Sequence, residues 1–273
     1  MRKLPKHLKK MAGAMLLFIV LASSCKKSEK HESTIPTDET ATPRALTLVW
    51  QDEFNNSSLS TTKWNYETGN LGVNNEKQYY QSSNVSVSGG NLIITAKKQS
   101  VGGQPYTSGR INTNGKFSIK YGRIEARMKL PMVQGMWPAF WMLGSNIGTV
   151  GWPKCGEIDI MEHVNTSNSV LGTIHWDNNG YVYYSNNTTT NPGDYHIYAV
   201  EWDSSGIRWF VDNNLYATAN TTNNINGTNE FHNPFFIIFN LAVGGNLAGQ
   251  TVNDAALPAS MSVDYVRVYN ITP

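Results

Sequence analysis

The chain has 273 residues, with 22 Lys/Arg against 20 Asp/Glu, 15% charged and 11% aromatic residues, and two cysteines. The small positive excess lies in the first 24 residues, which hold five Lys/Arg and no Asp/Glu; beyond them 17 basic residues face 20 acidic ones, a formal charge of −3. That balance excludes an electrostatic footprint for nucleic acid and disfavours a strongly anionic polymer as partner.

Residues 1–24 read as a targeting segment. Arg2, Lys3, Lys6, Lys9 and Lys10 form a basic start. Met11 to Ala22 is an apolar run of 12 residues, too short to span a bilayer as a helix. The small residues Ala22, Ser23 and Ser24 stand directly before Cys25. This pattern resembles a bacterial lipoprotein signal, in which the Cys becomes the first residue and carries the lipid. Leu21 stands four positions before Cys25 rather than the usual three, and a plain secretory signal with an incidental Cys is the alternative. The resemblance implies attachment to a membrane through Cys25 without a spanning helix. It implies a place at the bacterial cell envelope, on the outer membrane and facing the cell surface. Residues 25–44 then hold the lipidated Cys and a Lys-, Ser-, Thr-, Glu- and Pro-rich tether, broken by Pro36 and Pro43, with the composition of a disordered segment.

Residues 45–273 suit one large domain. Helical periodicity is nearly absent. Short alternating or apolar runs recur between Gly, Asn, Asp and Ser: 91–97, 116–121, 123–130, 139–143, 172–176, 197–202, 207–211, 235–241 and 261–269. They predict an all-β domain, a β-sandwich of jelly-roll type with a concave cleft wide enough for a polymer. The 8 Trp and 13 Tyr suit that cleft, because flat aromatic faces match the C–H faces of sugar rings. Only Cys155 remains once Cys25 is modified, so no intramolecular disulfide is expected, and Cys155 reads as a small packed thiol. Glu125 and Arg127 share a strand face and read as a surface pair.

The stretch from Glu157 to Glu162 sets three carboxylates in six residues with only apolar spacers. Strand parity aims Glu157 and Asp159 one way and Ile158 and Ile160 the other. Glu162 falls on the core side by that parity, where an unpaired charge is costly. One extra residue, most simply Met161, forms a β-bulge and turns Glu162 back to its partners. Acids so crowded cannot all ionise together, so one keeps its proton near neutral pH. A retaining glycosidase needs that division: one carboxylate attacks the anomeric carbon and a protonated partner about 5–5.5 Å away donates to the leaving oxygen. The plainer readings are an acidic strand edge or a metal site. Trp137, Trp141 and Trp152 close upstream favour catalysis on a sugar.

Several stretches taken together resemble glycoside hydrolase family 16, in its bacterial laminarinase and lichenase-like branch. They are Trp50 to Phe54, Asn74 to Tyr80, Ser108 to Ile111, Tyr121 to Arg127, Trp137 to Leu143, Gly156 to His163, Gly172 to Trp176, Phe239 to Gly245 and Asp264 to Tyr269. The resemblance covers nearly all of 46–270. It implies an endo-β-1,3(4)-glucanase with Glu157 as nucleophile, Glu162 as acid/base and Asp159 tuning the nucleophile. The Met161 insertion matches the bulged form of the motif. Trp137, Trp141 and Trp152 resemble aromatic walls at the cleavage point, His175 a contact on the acid/base side, and Asn74, Arg110 and Asn240 polar contacts to sugar. Three of them have a plainer alternative: core packing for Trp141, a solvated loop charge for Arg110, a satisfied core residue for His175. No cofactor is implied for catalysis. A structural Ca2+ on the convex face is implied, with Glu53, a backbone carbonyl near Gly90, and Asp264 as ligands; two capped strand ends without metal are the alternative. In one place the chain departs from the pattern. Typical laminarinases follow Gly244-Gly245-Asn246 with Trp-Pro-Gly, and this chain has Leu247-Ala248-Gly249. The expected partner is therefore a β-glucan, either β-1,3 or mixed β-1,3/1,4, met by a monomer. A glucan-binding protein without turnover, or a family member acting on galactan or xyloglucan, are the other readings.

Overall fold

A computed structural model describes residues 45–272. The targeting segment, Cys25 and the tether lie outside the described residues.

Two antiparallel sheets face each other. The sheet that carries the acidic strand runs in the spatial order Tyr181–Thr189, Ser169–Asp177, Glu157–Glu162, Met136–Gly144, Phe235–Val243, Arg110–Asn112, Asn65–Tyr66. The second runs Asn214–Asn220, Gly206–Val211, His196–Asp203, Gly122–Lys129, Ala259–Thr272, Asn91–Ala96, Val85–Ser88, and Ala45–Asp52 also pairs with Ala259–Thr272. Gln78–Tyr80 and Tyr106–Ser108 form a short parallel pair beside them. Neighbours in space that are far apart in sequence give the crossovers of a jelly roll, as the run pattern predicts. The run at 116–121 is the exception. It forms a loop with one bridge, Ile119 to Phe235, and Tyr121 has a left-handed φ of 67° that ends any strand.

The core lies between the sheets because each strand turns its alternate apolar residues inward. Phe235, Ile237, Phe239, Leu241 and Val243 are buried there from one strand, and Phe140 stacks on Phe239 with ring centroids 4.7 Å apart. Trp64, Trp202 and Trp209 are fully buried. Each such side chain contributes about 1.5–3 kcal/mol through removal from water.

Trp209 ties the two sheets together under the acidic strand. Its indole N–H donates to the main-chain carbonyl of Asp159 at 2.8 Å, although it belongs to the opposite sheet. The ring reaches this depth because residue 172 is Gly: a Cβ there would stand 2.4 Å from Trp209 Cδ1.

The expected surface pair of Glu125 and Arg127 does not form. Glu125 is buried and accepts from Arg123 Nε at 2.8 Å, while Arg127 reaches across to Asp264 Oδ2 at 2.7 Å. The adjacent strand Ala259–Thr272 offers Arg127 a partner that spacing along one strand does not reveal.

Candidate active site

The acidic strand is bulged where parity requires it. Glu157 pairs with His175 and Asp159 with Thr173, but Glu162 then pairs with Leu171, so this strand uses one residue more than its neighbour. On the other side Asp159 pairs with Trp141 and Met161 with Phe140, again with one extra residue. Ile160 and Met161 both turn into the core in succession, and Ile158 is buried with them. Two consecutive inward residues restore Glu162 to the side of Glu157 and Asp159.

Each end of the cluster has its own indole donor. Trp152 Nε1 donates to Glu157 Oε2 at 2.8 Å, and Trp137 Nε1 donates to Glu162 Oε1 at 2.9 Å. Asp159 shares a hydrogen bond with Glu157. His175 Nε2 stands 3.1 Å from Asp159 Oδ2 and 3.8 Å from Glu157 Oε1. The shorter contact is off the line of a formed hydrogen bond and leaves Asp159 Oδ2 without a hydrogen-bond partner.

Burial and mutual repulsion hold protons on this cluster. Burial first, then the charge of Asp159, push the Glu157 carboxyl up to about 8, against the pull of His175 and Trp152. Burial and the charge of Glu162 lift Asp159 well above the usual carboxylate range. Burial raises Glu162 as well, opposed by the Trp137 hydrogen bond, His175 and Thr173. The three therefore titrate as one group that retains protons at neutral pH. Hydrogen bonds bias which oxygens carry them: the Trp152 N–H favours the charged form of Glu157, and the hydrogen bond between Glu157 and Asp159 favours the charged form of Asp159.

The other expected site residues gather on the same face. Trp141 is not a core residue of the sandwich. Its Nε1 donates to Asn240 Oδ1 at 2.7 Å, and the Arg110 guanidinium lies over its ring, 4.9 Å from the centroid. Beneath it Leu143, Cys155, Phe236 and Ile238 form a small apolar cluster, where burial raises the Cys155 thiol to about 11 and keeps it inert. Arg110 is held by Glu67, with Nε 2.7 Å from Oε2. Asn240 Nδ2 donates to the Tyr80 hydroxyl at 3.2 Å, and that hydroxyl donates to Glu76 Oε2 at 3.2 Å. Asn74, with φ 53°, donates from Nδ2 to the other oxygen of Glu76 at 3.1 Å, and its carbonyl accepts from the Asn246 N–H at 2.8 Å. Trp152 is 49% exposed, as its loop position predicts. Leu247, in place of an aromatic, is 42% exposed next to this corner.

Glu67, Glu76, Tyr80, Tyr181 and Tyr183 belong to the face without having been singled out from the sequence. Glu76 and Tyr80 fall inside the stretch 74–80 that carries the resemblance, so a signal was present there. Nothing in the sequence separates Tyr181 and Tyr183 from other exposed tyrosines.

Among the described residues, the grouping of His, Cys, Asp and Glu that could hold a metal is Glu157, Asp159 and His175, which is the acid cluster itself. The expected calcium residues meet differently. Glu53 follows Asp52, which pairs with Val266, and Gly90 precedes the strand in which Leu92 pairs with Val263, so all three positions surround one stretch of Ala259–Thr272. Both carboxylate oxygens of Glu53 accept from Arg267, at 2.7 and 2.9 Å. Arg127 takes only Oδ2 of Asp264.

Comparison with known proteins agrees with this geometry. The family model described as glycosyl hydrolases family 16 matches residues 72–267. The chain is 48% identical over 226 residues to the clotting factor G alpha subunit of Tachypleus tridentatus, covering 81% of this chain and 34% of that one. It is 40% identical to glucan endo-1,3-beta-glucosidase A1 of Niallia circulans, covering 89% of this chain and 40% of that one. It thus spans well under half the length of these curated relatives. The crystal structure of laminarinase from Flavobacterium sp. UMI-01 superposes with a TM-score of 0.76 at 43% identity, over 82% of this chain and 100% of that one. A bulged strand bearing three acids, set in a jelly roll and matched along most of its length by these proteins, makes the chain a member of glycoside hydrolase family 16.

Proposed function

We propose that the chain is a retaining endo-β-glucanase that hydrolyses β-1,3-glucan or mixed β-1,3/1,4-glucan. The observation that carries the reading is the pair Glu157 and Glu162 on one bulged strand, each with its own indole donor and with Asp159 between them. Glu157 attacks the anomeric carbon while Glu162 gives its proton to the departing glycosidic oxygen. A glycosyl ester forms on Glu157. Glu162, now ionised, removes a proton from water, which attacks the same carbon and frees Glu157. Asp159 donates to Glu157 and steadies its charge before attack and on release.

Glu157→Gln tests this directly. It is expected to abolish turnover while glucan binding and fold persist, and hydrolysis at a tenth of the wild-type rate or more overturns the nucleophile role. Glu162→Ala is expected to lose natural glucan yet retain substrates with good leaving groups, which need less protonation.

Two features bear on the substrate. The names of the relatives point to β-1,3-glucan, and the missing aromatic at Leu247 points to mixed linkage. Product analysis on pure laminarin, lichenan, galactan and xyloglucan separates these, and turnover of only the last two overturns the β-glucan reading. The chain in this reading acts as a monomer, held by lipid on Cys25 at the outer membrane and facing the cell surface. The small residues before Cys25 support the anchor, and Cys25→Ala is expected to release active protein into the soluble fraction. A structural calcium at Glu53, Gly90 and Asp264 completes it, and a melting temperature that falls with EDTA and returns with calcium is the expected sign.

A further inference from the structure

We propose that Tyr181 is a positioning residue, whose phenol fixes the ring tautomer of His175 so that the far ring nitrogen presents a proton to Asp159. The proposal rests on the reading of Glu157 as nucleophile with Asp159 as its donor.

Tyr181 follows the tight turn Asn178-Asn179-Gly180, which is held by Asn178 N–H to the Gly180 carbonyl at 2.9 Å. The turn sets Tyr181 opposite Asp177 and diagonal to His175. The two rings stack, with centroids 5.7 Å apart and planes 12° from parallel, and the Tyr181 hydroxyl lies 2.8 Å from His175 Nδ1. The phenol also packs 5.0 Å from Trp152, the donor to Glu157.

A protonated phenol offers its hydrogen to an imidazole nitrogen that carries a lone pair. When Tyr181 donates to Nδ1, the ring proton of neutral His175 resides on Nε2. Nε2 then faces Asp159 Oδ2, the buried oxygen with no other hydrogen-bond partner, at 3.1 Å. In the proposed mechanism Asp159 directs its own proton to Glu157 once Glu157 ionises. The three hydrogens run one way, from Tyr181 to His175, from His175 to Asp159, and from Asp159 to Glu157. The other tautomer would aim a lone pair at Oδ2 and draw the Asp159 proton away from Glu157. The contact from His175 to Asp159 is near but not aligned, so it cannot select the tautomer by itself. The Tyr181 contact supplies the selection. His175 faces Glu157, Asp159 and Glu162 from the acidic strand and Tyr181 and Tyr183 from the hairpin, and of these Tyr181 bonds Nδ1.

Tyr181→Phe removes the hydroxyl and keeps the stacked ring. Tyr181 is 50% exposed, so the variant is expected to melt with wild type. Nitrogen-15 shifts of the His175 ring in the full chain read the tautomer directly. The expected result is a change from the Nε2–H form to a mixture. With it, kcat falls about 10-fold at a KM within twofold of wild type. The acid limb of kcat/KM moves up by about half a pH unit, because the charged nucleophile loses part of its donor. Unchanged ring shifts, or an unmoved acid limb, overturn the proposal and leave Tyr181 as a sugar platform only. An active Glu157→Gln variant instead overturns the reading on which the proposal rests, so the two failures are distinct.

Discussion

Trp152 and Glu157 are joined by an indole hydrogen bond of 2.8 Å, and the pair is mirrored at the far end of the cluster by Trp137 and Glu162 at 2.9 Å. The two bonds act on acids with opposite tasks. Each donor favours the charged form of its acid, so its loss raises that acid's pKa. The proposed mechanism needs Glu157 ionised and Glu162 protonated. Trp152→Phe is therefore expected to move the acid limb of the kcat/KM profile to higher pH, and Trp137→Phe to move the alkaline limb to higher pH, each by about half a unit or more. One substitution narrows the profile and the other widens it. Profiles that shift in the same limb for both variants contradict the assigned roles.

The same crowding affects stability. The folded-state pKa of Glu157 is raised from 4.5 to about 8, so the folded chain binds protons that the unfolded chain releases. Stability from this group is fully present below 4.5 and is lost as pH rises through about 8. Gln at this position cannot ionise and escapes the loss. Glu157→Gln is expected to melt within a degree or so of wild type near pH 4.5 and several degrees above it at pH 8.5, because a displacement from 4.5 to about 8 is worth several kcal/mol. Calorimetry at the two pH values checks it, and a gap that shrinks as pH rises contradicts it.

The bulge can be removed by deletion. Without Met161, Glu162 stands four positions from Glu157 and stays on the cleft face by parity. Met161 is fully buried, so its loss also opens the core, at about 2–5 kcal/mol. A folded, destabilised variant with weak residual activity is expected. Insertion of Ala after Met161 leaves two extra residues to absorb and is expected to end activity. Wild-type rates from the insertion variant contradict the bulge geometry.

Leu247 occupies the turn where the Asn246 N–H bonds the Asn74 carbonyl, beside Trp137. An indole there would lie against a bound sugar face. Leu247→Trp is expected to raise the ratio of kcat/KM on laminarin to that on lichenan by about 10-fold, a gain of about 1.4 kcal/mol, through KM more than kcat. A ratio unchanged within twofold removes Leu247 from the determinants of preference.

The acid cluster was legible because its signal is local. Three carboxylates with apolar spacers, read with a period of two, demand a bulge between Asp159 and Glu162, and the ladder places one there. The sandwich was legible for the same reason, since its central strands are apolar runs. What could not be read is who meets whom across the chain. Arg110 finds Glu67 from 43 positions away and Arg127 finds Asp264 from 137 away, and no periodicity carries such pairings. The surface pair expected of Glu125 and Arg127 failed on this point. The run at 116–121 failed on another, because its apolar residues serve a loop that a left-handed Tyr121 terminates. Tyr181 was invisible because an exposed tyrosine gains its meaning only from the histidine it stacks on.

Trp209 grips the Asp159 carbonyl from the opposite sheet, through the space that Gly172 leaves. The catalytic strand is consequently not an independent unit of opening. To fray it, the molecule must pull a buried indole out of the sandwich, which is the act of melting the whole domain. Amides at 157–162 should then exchange with solvent only through global unfolding, and warming should extinguish activity and near-UV tryptophan dichroism on a single curve. A domain built this way tolerates wear at its loops and keeps its acids in register until the entire fold gives way.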